Sequence, residues 1–216
     1  MNYNKKLTNF NDRGEILQYI KSKKEANPNF TLLDIGASAN PWTINYVTHI
    51  VDATRTNLNA HQFIGNANDI YVWQDVLNYV EANGKFDFCS CTHFLEDITA
   101  AKLVMTMINK ISKEGFVAVP SKYSELTVQN EGDWLGWTHH SWIYDYIDDK
   151  FIGYKKQAFI ENLPQFREWG IKNPSTNRQE LQFQWKDELV HEMAMGELLG
   201  PTSYAVINYY KNNLLK

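Results

Sequence analysis

Strand and helix patterns alternate along the chain between about residues 30 and 120. Short apolar runs such as "FTLLDI" (30–35) and "FDFCSC" (86–91) are separated by amphipathic segments such as "IYVWQDVLNYVEANG" (70–84). The runs are typical of buried strands and the amphipathic segments of helices. This alternation predicts right-handed βαβ units, and therefore an α/β fold with a mostly parallel central sheet and helices on both faces.

The pattern changes after Pro120, where aromatic, strand-like segments follow: "GWTHHSWIYDYID", "FIGYKKQAFIENL" and "LQFQWKDELVHEM". We expect them to add late antiparallel strands and an aromatic-rich cover over one end of the sheet. The 216 residues fit one domain. Its expected parts are an N-terminal helix (1–29), a binding core (30–120), a substrate-side cover (121–200) and a C-terminal helix (201–216).

Charge and composition limit the partners of the chain. The formal net charge is -4, so an overall basic footprint for nucleic acid is absent, although a local patch stays open. The N-terminal segment lacks the apolar core of a signal peptide, and no apolar run approaches the ~20 residues of a membrane helix. Cys89 and Cys91 are too close in a strand for ordinary disulfide geometry. We therefore expect a cytoplasmic protein with free thiols and no membrane partner.

The stretch "DIGASANP" (34–41) follows the first predicted strand. Ligands of open parallel sheets bind outside the carboxyl ends of the strands, where the strand order reverses. Gly36, Ala37 and Ser38 are small enough to admit a ligand, and Asp34 could hold loop amides or a ligand ammonium group. The loop lacks G-x-G-x-x-G, which favours a nucleoside without pyrophosphate. The alternative is a plain turn that leaves a strand.

A second segment, "FDFCSCTHFLEDI" (86–98), carries a polar tip and a histidine after a strand. Together with "LLDIGAS" and "VDA" (51–53), it resembles the class I S-adenosylmethionine-dependent methyltransferases, in a poorly characterised methyltransferase-like branch. The resemblance implies a Rossmann-like fold, S-adenosylmethionine as cofactor, and methyl transfer to a small-molecule or glycan-like acceptor.

The resemblance also implies a role for each matching residue. The methionine end would lie by Asp34, Gly36, Ala37 and Ser38, the ribose by Asp52 and Ala53, adenine by Asn66 and Ala67, and the sulfonium by Cys91, Thr92 and His93. Ser38 stands where the second glycine of the family motif often lies, and Asn66 stands where an acid is usual.

Three histidines are candidates for a catalytic base: His93, His139 and His140. Each could instead be bonded to backbone. If "WTHHSWIYDY" is a strand, His139 and His140 point to opposite faces, and at most one faces the site. Trp134 and Trp137 flank Gly136 and could line a substrate pocket, although a core role is the alternative.

Cys89, Cys91 and His93 would share one face of a strand, and one of the later histidines could complete four zinc ligands. Buried cysteines usually act as small apolar residues, so we expect no metal.

Two functional alternatives remain from the sequence. The missing second glycine, Asn66 and the lack of a clear base would all permit a catalytically inactive binding or scaffold protein. Another nucleotide-using Rossmann-like enzyme is disfavoured because the chain has neither the dinucleotide pattern nor G-x-x-x-x-G-K.

Overall fold

A computed structural model describes residues 5–7, 12–128, 133–176, 179–194 and 204–216. Its central feature is a seven-stranded sheet with the order β4-β3-β2-β5-β6-β9-β1. The strands are β1 (Lys5–Leu7), β2 (Leu32–Ile35), β3 (His49–Asp52), β4 (His61–Ile64), β5 (Phe88–Thr92), β6 (Glu114–Pro120) and β9 (Glu180–Lys186). The five strands from β2 to β6 run parallel, whereas β9 is antiparallel to both of its neighbours.

The parallel strands, taken in chain order, lie in the order 3-2-1-4-5, which is the start of the Rossmann order. The expected Rossmann-like α/β fold is therefore confirmed. The strand order reverses between β2 and β5, which are paired from Leu32 with Phe88 to Ile35 with Cys91. This reversal places the ligand edge of the sheet just beyond Ile35 and Thr92.

Helices cover both faces of the sheet, as the burial of successive residues along β2, β5 and β6 requires. The helices are α1 (Asp12–Ala26), α2 (Ile70–Asn83), α3 (Ala101–Ile111), α4 (Lys122–Glu125), α5 (Ala158–Asn162), α6 (Pro164–Lys172) and α7 (Tyr204–Leu214). Ile16 and Ile20 of α1 pack with Leu32 and Phe88 on one face. The other face packs with α2 and α3, whose buried side chains include Trp73. None of the described helices is long and apolar enough to cross a membrane.

The region after Pro120 forms a second sheet of three strands in the order β10-β8-β7. These strands are β7 (Trp142–Ile147), β8 (Lys150–Lys155) and β10 (His191–Ala194). Strands β7 and β8 are antiparallel, as expected of late strands, whereas β10 is parallel to β8. Aromatic side chains of β7 and β8, including Tyr144 and Phe151, join the core of the central sheet.

The structure corrects two expectations for this region. "FIGYKKQAFIENL" is a strand only as far as Lys155, and α5 follows because Phe159 and Ile160 pack with α6 and α7. "LQFQWKDELVHEM" is not one strand, because Asp187 adopts a left-handed backbone conformation with φ of 66° between β9 and β10. The two halves of that segment therefore belong to different sheets.

Candidate functional site

The loop after β2 begins with a residue that must be glycine. Gly36 has φ of 72°, and its amide donates to the carbonyl of Val51 at 2.9 Å. A Cβ atom built on Gly36 would lie 2.6 Å from Cγ of Phe94, which follows β5. Ala37 is buried, whereas Ser38 is exposed and also has a positive φ of 56°. The loop therefore bends sharply at the ligand edge and keeps close contact with the segment after β5.

Asp52 at the end of β3 connects this loop to the next one. Its carboxylate accepts the amide of Ser38 at 3.0 Å and the amide of Thr54, also at 3.0 Å. Asp52 is half-buried and Ala53 is exposed, so the carboxylate is accessible at the ligand edge. The Thr54 hydroxyl also donates to this carboxylate, at 3.2 Å. A carboxylate has about four acceptor positions, so one remains for a hydroxyl group of a ligand.

Asp34, in contrast, is enclosed by protein. Its carboxylate accepts a hydrogen bond from the hydroxyl of Thr43, in the crossover after β2, and another from the Ser90 hydroxyl. Burial raises the pKa of Asp34 to about 7, against the lowering effect of those two hydrogen bonds. These partners favour a role in positioning the loop, and direct contact of Asp34 with a ligand stays a prediction.

The raised pKa predicts how stability depends on pH. Folded Asp34 retains its proton to about pH 7, whereas the unfolded side chain loses it near its usual value of 3.8. The folded state therefore binds more protons in this interval, and its stability falls as pH rises through it. The variant Asp34→Asn has no such titration. We therefore expect the free energy of unfolding of the wild type, relative to that of Asp34→Asn, to fall by up to about 4 kcal/mol from pH ~4 to pH ~8.

Urea denaturation of both proteins across this range measures the difference. The exposed Asp75→Asn provides a matched control whose difference from wild type should stay flat with pH. A flat difference for Asp34→Asn as well would contradict the raised pKa.

The segment after β4 lies at the same edge of the sheet. Asn66 is exposed, and its side-chain oxygen accepts the amide and the side-chain nitrogen of Asn68, both at 3.0 Å. Asn68 in turn accepts the amide of Ala100 at 2.8 Å, next to α3. Ala67 is buried, and its carbonyl accepts the indole N–H of Trp73 at 2.9 Å. This segment is thus fixed to both helices of that face.

His93 follows β5 and has a left-handed backbone with φ of 49°. Its Nε2 contacts a carboxylate oxygen of Glu180 in β9, and its Nδ1 lies 3.3 Å from Glu96. The hydrogen bond to Glu180, followed by that to Glu96, raises the pKa of His93 to about 9. Arg13 of α1 also bonds Glu180, at 3.0 Å.

These contacts favour a cationic imidazole at neutral pH. A protonated ring cannot accept another proton, so the contacts weigh against a base role for His93, which stays a prediction. Both ring N–H groups are directed at carboxylates, so the imidazolium is better suited to hold the loop after β5 against β9.

Unlike the half-exposed side chain of His93, the two cysteines near it in sequence are enclosed by protein. Cys89 and Cys91 are fully buried in the core of the central sheet, and burial raises the pKa of each thiol. The left-handed backbone at His93 ends the strand alternation, so the three residues do not present one common face. Contact of Cys91 with a ligand would have to use its backbone, whereas Thr92 is half-buried at the strand end.

His139 and His140 lie in a turn before β7, not in a strand. The condition for opposite faces is therefore not met, and the ring centroids of His139 and His140 are 4.5 Å apart. Nε2 of each ring approaches Oδ1 of Asp97, at 3.7 Å for His139 and 3.6 Å for His140. The ring of Trp137 is tilted by 34° against that of His140, with centroids 5.0 Å apart. Trp137 is half-buried, whereas Trp134 is exposed.

Sequence reasoning gave no role to Phe94 and Arg13, nor to four acidic residues of this region. Glu96 and Asp97 lie in "FLEDI", inside the quoted motif, and their position after a strand could have indicated them. Glu125 is buried and bonds His140, while Glu180 comes 87 positions after His93. No local pattern connects residues that far apart in sequence.

No family model matches the chain, and no curated protein matches it. Among solved structures, a putative ribosomal RNA methyltransferase from Plasmodium falciparum is 13% identical, with 83% of this chain and 97% of that chain covered and a TM-score of 0.40. The N-terminal domain of EvdMO1 with SAH bound is 15% identical, with 82% and 69% covered and a TM-score of 0.35.

A third similar structure is a cyclopropane-fatty-acyl-phospholipid synthase-like protein from Lactobacillus casei. It is 10% identical, with 84% of this chain and 96% of that chain covered and a TM-score of 0.37. Scores of this size describe only a partial overlap of the chain traces. The fold assignment therefore rests on the strand order of this chain.

Proposed function

We propose that the chain binds S-adenosylmethionine at the carboxyl ends of β2, β3 and β4 and transfers its methyl group to an acceptor. The observation that carries this proposal is the carboxylate of Asp52. It ends the second parallel strand and bonds the amide of Ser38 in the loop after the first. In Rossmann folds, an acid in this place accepts hydrogen bonds from ribose hydroxyls.

The neighbouring residues fit the rest of a nucleoside. Ala37, Ser38 and Ala53 leave the edge open for the ribose and the methionine end. The exposed side chain of Asn66 could meet the adenine amino group. Gly36 and Phe94 would border the methionine end. The bound sulfonium supplies an activated methyl group, so these residues mainly have to hold donor and acceptor in line.

For the acceptor, we propose a small molecule or a glycan-like compound. The net charge of -4 gives no overall basic surface for nucleic acid. Trp137 and the exposed Trp134 offer flat faces for a ring, and they neighbour His139 and His140 in the chain. The free thiols of Cys89 and Cys91 suit a reducing compartment such as the cytoplasm.

Calorimetric titration with S-adenosylhomocysteine tests the cofactor. We expect micromolar binding by the wild type and no binding of NAD. Asp52→Ala removes an acceptor of charge-assisted hydrogen bonds, each worth about 1.5 to 3 kcal/mol, so affinity should fall by about 10- to 100-fold or more. Asp52→Asn keeps the size of the side chain and should also weaken binding.

The exposed Asp75→Ala in α2 serves as a control with the same change of charge and should bind like the wild type. Unchanged affinity in Asp52→Ala would make the ribose assignment wrong. Tight binding without methyl transfer to any extract fraction would support the alternative of an inactive binding protein.

A further inference from the structure

Three potential metal ligands from two separate segments converge beside the site. Among the described residues, Asp97, His139 and His140 offer ligand atoms that all lie within 4.8 Å of one another. Asp97 belongs to the loop after β5, and the histidines belong to the turn before β7. The group therefore joins the ligand edge of the central sheet to the cover.

The separations within this group suit coordination better than hydrogen bonding. Each Nε2 lies 3.6 to 3.7 Å from Oδ1 of Asp97, which exceeds the normal hydrogen-bond range. Ligand atoms placed about 2.0 to 2.2 Å from a tetrahedral ion are separated by roughly 3.3 to 3.6 Å. A small shift of two exposed side chains, Asp97 and His139, would complete that geometry.

A buried carboxylate fixes the ring of His140. Nδ1 of His140 lies 2.5 Å from Oε1 of Glu125, whose side chain is 0% exposed. The second oxygen of Glu125 lies 3.3 Å from Nζ of Lys156, which also donates to the carbonyls of Leu135 and Trp137. Such a carboxylate on the far nitrogen orients a metal-binding histidine and leaves Nε2 free to coordinate.

The two segments are held together by hydrogen bonds on either side of the group. The amide of Ser141 donates to the carbonyl of Glu96 at 2.6 Å, and the indole of Trp142 donates to Ile98 at 2.7 Å. The hydroxyl of Tyr144 donates to Leu95 at 3.0 Å. Asp97 and the two histidines are thus brought together by the packing of the cover on this loop.

We propose that Asp97, His139 and His140 bind one divalent transition-metal ion of the zinc class. Two imidazoles and one carboxylate are ligands that such ions accept. Three protein ligands leave a coordination position open, as in catalytic rather than structural sites. This site differs from the cysteine-containing set considered from the sequence, whose thiols are buried elsewhere in the sheet.

The role of the ion, although not its binding, rests on the proposed methyl transfer. A hydroxyl group of the acceptor would coordinate the open position, which lowers the pKa of that hydroxyl. The hydroxyl proton passes to water, the oxygen bonds to the methyl carbon, and the carbon–sulfur bond breaks with its electron pair left on sulfur. The reaction then needs no neutral histidine as base.

Cobalt titration of tag-free, chelator-treated protein tests the site. We expect one Co²⁺ per chain with visible absorption typical of four-coordinate cobalt, and displacement of that ion by Zn²⁺. Asp97→Asn and His139→Ala alter exposed side chains and should each lower the affinity at least 10-fold. His191→Ala, in β10, is a matched histidine control that should bind as the wild type does.

Wild-type affinity in both Asp97→Asn and His139→Ala, or no stoichiometric binding by the wild type, would overturn the proposal. Titration of the same samples with S-adenosylhomocysteine separates the two proposals. Cobalt bound by protein that does not bind the nucleoside supports the metal site and overturns only the proposed function. Nucleoside binding without cobalt binding supports the proposed function and overturns the metal site.

Discussion

Asp145→Ala should lower the free energy of unfolding by about 3 to 5 kcal/mol, because it leaves a buried ammonium group without its counter-charge. Nζ of Lys122 lies 2.8 Å from Oδ2 of Asp145, with side-chain exposures of 7% and 12%. Among the described residues, Lys122 would retain its bond to the backbone oxygen of Lys216, at 3.1 Å, and its contacts with the rings of Tyr123 and Trp169. Urea denaturation of both proteins measures the difference.

The second sheet also provides a matched control for this experiment. Lys150 of β8 and Glu192 of β10 form an ion pair at 3.2 Å whose side chains are about half exposed. Because water solvates both charges, Glu192→Ala should cost no more than about 1 kcal/mol. Equal losses in Asp145→Ala and Glu192→Ala would show that burial of Lys122 does not govern the effect.

Gly36→Ala should destabilise the fold by about 2 to 5 kcal/mol. A left-handed backbone costs an L-residue roughly 1 to 2 kcal/mol. The added methyl group would overlap the ring of Phe94, and overpacking of this kind costs about 1 to 3 kcal/mol more. Denaturant midpoints at constant m-value measure the loss.

Gly84 helps to separate the cost of the backbone conformation from the cost of overlap with Phe94. It also has a positive φ, of 85°, but no atom lies within 4 Å of an added Cβ. Gly84→Ala should therefore show a backbone cost without a clash, about 1 to 3 kcal/mol, because its ψ of 170° lies in a region that is essentially restricted to glycine. If the contact with Phe94 matters, Gly36→Ala combined with Phe94→Ala should cost less than the sum of the single changes. Strict additivity of the two changes would contradict the close approach.

The fold of residues 30–120 could be predicted because local pattern and tertiary environment agree there. "FDFCSC" alternates between two buried faces, and "IYVWQDVLNYVEANG" has helical spacing with Asp69 as its cap and Gly84 at its end. After Pro120 the local sequence pattern no longer distinguishes strands from helices. Short apolar runs such as that around Phe159 suit strand and helix equally, and contacts with α6 and α7 decide between them.

The candidate site was predictable only where its residues follow strands in sequence. Asp34, Asp52 and His93 each end or follow a parallel strand, and the sheet brings their positions to one edge. Partners that come from the cover carry no such marker. Glu125 and Glu180 are ordinary acids in sequence, and their importance arises from burial next to His140 and His93.

The position of β1 has a consequence for the order in which the chain can assemble. Of the strands that the structure describes, β9 alone pairs with β1, and Lys5 lies opposite Gln184. During synthesis β1 leaves the ribosome before the other described strands, yet its hydrogen-bonding partner emerges only after the five parallel strands and β7 and β8. Pairing of β1 with the sheet therefore has to wait until β9 has been made, after all five parallel strands.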